Sequence, residues 1–346
     1  MNLFKIKVLL ESFFLAALAL AAGCSGNMSC KEAQADAPLA CSNAWANLDF
    51  FLSHRKPPLP VGELKLRLEN FLSTNSVRGQ YGLYFEDLNS SARFGISETN
   101  TFNQWSLLKL NVAATVLKKV ERNEVSLDQR IRLDPAALDT ATLFPDMNHA
   151  GDEPSVRQLL EQLIRYSDNT ASFALSRLFT PDEFQETLLA LGTLPAPPDK
   201  PRNYLPPVSP RDYANALRDL YFAKYLSRPS SDLILALMAN TVYDSQIRMG
   251  LPPEIKVAHK VGFNAGGGEF HDCGIVYFSG APYILCVMSK NNTREEADRV
   301  IAEISRLIYE FLLETEICPR SLFVVALPSD VFLFDFLPDN GRGVLN

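Results

Sequence analysis

The chain is poor in the residues that build metal and redox centres. It carries four histidines and six cysteines in 346 residues. They form neither an H-E-x-x-H pair nor a C-x-x-C spacing, so a metal site has no ligand set to rest on. No run of lysine and arginine makes a basic stripe, and a formal charge of −7 is mild, which argues against a nucleic-acid partner. Gly266-Gly267-Gly268 lacks the Gly-Lys-Ser/Thr that a phosphate loop needs, and reads as a flexible loop. Apolar runs long enough for a membrane span are missing too: the tail Ser321 to Pro338 is broken by Pro328, Asp330 and Asp335. Cys273 and Cys286 flank one hairpin. Export would permit a disulfide there, but strand cysteines are more often buried thiols, and that is the expectation. No cofactor and no metal are expected.

What is present begins with a targeting segment. Lys5 and Lys7 precede an almost purely apolar run, Ser12 to Ala22, which ends at Gly23-Cys24. The expectation is export, to the periplasm or to a lipid anchor at the envelope. Lipid attachment at Cys24 would tether the chain to a membrane, and ordinary cleavage after Ala19-Leu20-Ala21 is the alternative. Residues 1–23 are read as signal peptide and 24–61 as linker, the latter ending near Pro57-Pro58-Leu59-Pro60. Residues 62–314 form the main domain and 315–346 a C-terminal extension. A monomer is expected.

Within the domain the hydrophobic period changes twice. Gly62 to Leu72 has a helical stripe; Gln80 to Leu88 and Ala92 to Ile96 read as strands joined by Asn89-Ser90-Ser91. Helices follow at Ser106–Val120, Glu153–Tyr166, Asn169–Leu178, Pro181–Leu191, Pro210–Phe222 and Ser231–Met238, several opened by capping boxes or Pro at the first turn. Three more strands, Lys256–Val261, Glu269–Phe278 and Tyr283–Met288, precede a last amphipathic helix to about Leu313. Strands at both ends of a helical middle predict an α/β fold, an α+β sandwich. Its antiparallel five-stranded sheet is flanked by helices, with a helical cluster beside it.

Three short motifs carry the chemistry: Ser106-Leu107-Leu108-Lys109, Ser167-Asp168-Asn169 and Lys260-Val261-Gly262. A serine hydroxyl is a poor nucleophile unless a base takes its proton, and a lysine can be that base if burial or nearby positive charge lowers its pKa. Residues three apart on a helix share a face, which brings Ser106 to Lys109. Two such residues at fixed spacing also occur by chance, as at Ser53-His54-Arg55-Lys56, which runs into prolines and reads as a solvated stretch. Ser167-Asp168-Asn169 could alternatively be only a helix cap. Lys260 at a strand end could bind a substrate carboxylate, with Gly262 leaving room along the strand edge.

The three motifs in this order, with Tyr166-Ser167-Asp168-Asn169-Thr170-Ala171 and Asp272-Cys273-Gly274-Ile275-Val276-Tyr277 around them, resemble the serine β-lactamase and penicillin-binding superfamily, class A β-lactamases most closely. The resemblance covers about Gly62 to Leu313. It implies Ser106 as nucleophile, Lys109 as base and Ser167 as proton shuttle to the leaving nitrogen. It also implies Asn169 as contact for a substrate amide, Lys260 as anchor, and the Ser106 and Phe263 backbone N–H groups as oxyanion hole. The partner would be a β-lactam or an acyl-D-Ala-D-Ala-like peptide. Two departures stand out. No glutamate lies between Glu186 and Glu254 to serve deacylation, where Asp199 in a proline-rich loop is the nearest carboxylate. Val261 stands where the family has threonine or serine. Losing that hydroxyl would weaken carboxylate recognition by roughly 1.5–3 kcal/mol. The leading reading is a class A-like β-lactamase, with a penicillin-binding peptidase or related acyl hydrolase, or a noncatalytic envelope protein, as alternatives.

Overall fold

Alternating side chains along the strands sort the core into two layers, one on each face of a single sheet. In the computed structural model, which describes residues 59–74, 77–139, 144, 147–193, 206–279 and 281–317, the strands are β1 (Gln80–Asp87), β2 (Arg93–Ile96), β3 (Lys256–Asn264), β4 (Glu269–Tyr277) and β5 (Tyr283–Lys290). They pair antiparallel in the order β2-β1-β5-β4-β3, which leaves β3 as an outer strand. Along β5, Ile284, Cys286 and Met288 face one layer while Tyr283, Leu285 and Val287 face the other.

The second layer is closed by the two end helices, α1 (Val61–Leu72) and α8 (Arg294–Ile317), through Leu64, Leu68, Val300, Ile301, Ile304 and Ile308. The first is covered by the helical middle: α2 (Lys109–Glu121), α3 (Val156–Arg165), α4 (Asn169–Ser176), α5 (Pro181–Ala190), α6 (Pro210–Tyr221) and α7 (Arg228–Ala239). Local chemistry sets their starts. Ser155 with Gln158 and Thr180 with Glu183 form reciprocal capping boxes, and Ser209 and Ser227 cap helices with proline in the first turn.

Three expectations are corrected. The segment expected to be one helix from Ser106 opens instead as a 3-10 turn, Trp105–Leu108, and the α-helix begins only at Lys109. Helix α7 starts three residues before the expected Ser231, because Ser227 accepts from the Ser230 N–H and Pro229 pre-sets the first turn. Cys273 and Cys286 are not thiols. They sit directly opposite each other on β4 and β5 and form a disulfide. Residues 1–58, residues 194–205 with Asp199, and the residues beyond 317 lie outside the described residues.

One ion pair bolts the helical layer to the sheet. Glu86 on β1 is 2% exposed, and Arg218 on α6 meets it with two nitrogens, Nε donating to Oε1 at 2.7 Å and Nη2 to Oε2. Arg218 also donates to Asn215 Oδ1 and the Tyr84 hydroxyl. Removing one member leaves a buried charge without its partner, whereas replacing both by apolar groups does not. Arg218→Ala is expected to cost about 3 kcal/mol in urea unfolding, and the double change Glu86→Leu with Arg218→Met is expected to cost clearly less.

Candidate active site

The site lies where the 3-10 turn, the loop before α4 and the outer strand β3 converge. In a 3-10 turn, side chains three apart eclipse, so this geometry brings Ser106 and Lys109 together more directly than an α-helix would. Lys109 Nζ is 3.0 Å from Ser106 Oγ. It also reaches the Ser167 carbonyl oxygen at 2.6 Å, Ser167 Oγ at 3.1 Å and Asn169 Oδ1 at 2.6 Å. Lys260 Nζ, from β3, donates to Ser167 Oγ at 2.9 Å and to the Val261 carbonyl at 3.0 Å.

Both lysines are buried, at 5% and 1% exposure. Burial lowers the pKa of Lys109 to about 8, opposed by the charges of Asp168 and Asp139. Lys260 is held well below its ordinary value by burial first and by Lys109 second, with Asp272 opposing. Neutral Lys109 has two N–H donors and one lone pair. Its two nearest partners, the Ser167 carbonyl and Asn169 Oδ1, can only accept, so they take the two N–H groups and leave the lone pair for the Ser106 hydroxyl. Ser167 Oγ, 3.1 Å from the same amine, takes its hydrogen bond from Lys260 Nζ at 2.9 Å.

The backbone is strained where the site needs it. Trp105, immediately before the nucleophile candidate, has φ of +47°, and Ser167 has φ of +55°, both in the left-handed region that non-glycine residues rarely adopt. For Ser167 this conformation turns its carbonyl and its hydroxyl toward the same amine. Trp105 is fixed by its indole N–H, which donates to Glu269 Oε2 at 2.6 Å, and Asn103 Nδ2 donates to both oxygens of the same carboxylate. The His271 ring is locked likewise: its Nδ1 accepts the Ser289 N–H, so Nε2 donates to the Asn103 carbonyl. The backbone leading to Ser106 therefore hangs from two side chains of β4.

Ser167-Asp168-Asn169 fulfils both of its readings. Asp168 is the cap: 1% exposed, it accepts from the Ala171 N–H at 2.6 Å and from Asn148 Nδ2 at 3.1 Å. Ser167 and Asn169, on either side, serve Lys109. The room expected beside Gly262 is filled by protein. A Cβ there would come within 2.9 Å of the Gln104 carbonyl and Leu107 Cγ, and 3.1 Å of the Leu107 N, so glycine is what lets the turn bearing Ser106 rest against β3. Val261 is buried and brings no hydroxyl. Phe263 is half-buried with the Arg294 guanidinium 4.8 Å above its ring.

A serine, two lysines, a second serine and an amide are thus held in one network. Residues 63–312 match the β-lactamase enzyme family. The chain belongs to the β-lactamase enzyme family. Among its relatives, the β-lactamase VEB-1 of Pseudomonas aeruginosa is 24% identical over 272 residues, 72% of this chain and 90% of the relative. The β-lactamase CTX-M-25 of Escherichia coli is 27% identical over 249 residues, 63% of this chain and 84% of the relative. The solved structure of PBP-A is 24% identical with a TM-score of 0.66, covering 75% of this chain and all of PBP-A. Another PBP-A structure is a mutant in acyl-enzyme complex with penicillin G.

Three residues of this family member escape a reading of the motifs. Asp139 accepts from Asn169 Nδ2 at 2.6 Å, Arg294 stacks on Phe263, and Glu269 holds Trp105. None stands at a fixed spacing from a motif, and only the turn-rich run before Asp139 hints at a loop returning to the site. The strain at Ser167 has a measurable signature. Ser167→Ala and Ser167→Gly both delete the hydroxyl, but only glycine tolerates φ of +55° without cost. The glycine variant is expected to be more stable than the alanine variant by about 1 kcal/mol in chemical denaturation.

Proposed function

We propose that this protein is a serine hydrolase that opens a β-lactam amide through a covalent acyl-serine on Ser106. The observation that carries the reading is the amine of Lys109, 3.0 Å from Ser106 Oγ and oriented by two acceptor-only oxygens. Lys109 takes the proton as Ser106 Oγ attacks the carbonyl carbon, forming a C–O bond. The developing oxyanion is met by the backbone N–H groups of Ser106 and Phe263. As the C–N bond breaks, Ser167 gives its proton to the leaving nitrogen and recovers one from the lysine side, Lys260 holding its oxygen at 2.9 Å. Water then hydrolyses the ester. Asn169 contacts the substrate amide, and Lys260 is the anchor.

The sequence favours a second reading for the last step. Without a glutamate between Glu186 and Glu254, the acyl-enzyme persists, as a penicillin-binding peptidase or related acyl hydrolase would leave it. The same reading places the chain outside the cytoplasm, as a hydrolase domain of residues 62–314 behind a signal peptide. The basic start with its apolar run supports export, and so does the Cys273–Cys286 disulfide, a bond that persists in oxidising compartments. Whether Cys24 carries a lipid follows from the mass of the mature N-terminus.

Intact-mass spectrometry after mixing with a penicillin, beside Ser106→Ala, decides among these outcomes. Consumed drug with unmodified protein establishes turnover. A persistent adduct on the wild type alone establishes acylation without efficient deacylation. Intact drug with unmodified protein contradicts the proposal.

A further inference from the structure

The site is polar from end to end. At the β3 edge stands Arg294, a permanent cation on α8, 40% exposed and stacked on Phe263. Within the site a separate chain of contacts runs from Lys260 through Ser167 and Lys109 to Asn169, and ends on a carboxylate, Asp139. Asn169 must point its amide nitrogen at that carboxylate. The carboxylate can only accept and so claims Nδ2, at 2.6 Å from Asp139 Oδ2, which leaves Oδ1 for the Lys109 amine. Asp139 is pinned in turn, its backbone N–H donating to Thr170 Oγ1 at 2.9 Å in the first turn of α4. Its half-buried carboxylate is thereby held against Asn169, which in turn touches the Lys109 amine beside Ser106.

We propose that Asp139 is a specificity-determining residue that selects acyl donors carrying an ammonium group on the acyl side of the scissile bond. This inference rests on the acyl-serine reading above. A substrate whose acyl amide contacts Asn169 brings its acyl side chain next to Asp139, 2.6 Å from the Asn169 amide nitrogen. Carboxylate oxygens accept from several donors at once, so an ammonium joins Asn169 there, whereas a carboxylate on the substrate meets like charge. A half-exposed pair of this kind is worth about fivefold in rate of capture, and added salt screens it. The polarity of the site thus favours zwitterionic acyl compounds.

Ampicillin, penicillin G and carbenicillin test this, because they differ at one side-chain carbon by an ammonium, a hydrogen and a carboxylate. The second-order rate of Ser106 acylation is read for each by intact mass at about pH 6, where an α-amino group stays protonated, on the full protein and on Asp139→Asn. The expected order on the wild type is ampicillin, then penicillin G, then carbenicillin, each step about fivefold. The asparagine variant keeps an acceptor for Asn169, and its three rates should converge to within about twofold as the charge term is lost. Equal rates on the wild type, an unchanged order in the variant, or a uniform loss on all three substrates would overturn the selective role. If penicillin G, ampicillin and carbenicillin all leave wild-type Ser106 unlabelled, the acyl-serine reading falls, and this inference with it.

Discussion

The Lys109 amine draws four oxygens from two separate segments into one place, and through Ser167 it gathers in Lys260 from β3 as well. An amine 5% exposed and lowered to about 8 costs roughly 3 kcal/mol to keep protonated at neutral pH. That cost is also its use, because it places the neutral amine within thermal reach while the protein is folded. The fold supplies the burial. The 3-10 turn packs against the helical layer, where Tyr213 on α6 donates its O–H to the Leu107 carbonyl.

A second constraint follows from the first. Ser106, Ser167 and Lys260 reach one another only if two residues, Trp105 and Ser167, adopt positive φ and one strand residue, Gly262, carries no side chain. Such conformations persist only where their surroundings over-determine them. Here the surroundings are Glu269 and His271 of β4 above the turn, and the Asp168 cap below α4. The disulfide between β4 and β5 tethers the strand that bears Glu269 and His271 to its neighbour. The stability of the sheet and the geometry of the site are thus linked through β4.

Much of this was legible in the sequence, and the reasons differ by residue. The period-2 strands and capped helices announced a sheet with a helical middle because apolar spacing and cap chemistry are local properties. Ser106, Lys109, Ser167, Asn169 and Lys260 were legible because their motifs hold them at fixed spacing. The 3-10 start of the Ser106 segment was not, since Ser106 to Val120 is apolar at both helical periods. Asp139, Arg294 and Glu269 were silent because each acts across a long stretch of chain. Asp139 meets Asn169 only once α4 is folded, and Arg294 meets Phe263 only once α8 returns to the sheet. The Cys273–Cys286 bond needed the register of β4 on β5, which spacing alone does not fix.

In the proposed mechanism neutral Lys109 activates Ser106. The measurement that tests it most directly is the pH dependence of Ser106 acylation by one penicillin under single-turnover conditions, with Ser106→Ala subtracting spontaneous ring opening. A base must lose its proton before it can take one from the serine, so the rate should rise with pH and level off beyond an inflection near the lowered lysine value of about 8. A rate that is flat across this range, or one that still climbs toward the ordinary lysine value of about 10.4, would contradict the claim and return the search for the base to the other groups around Ser106.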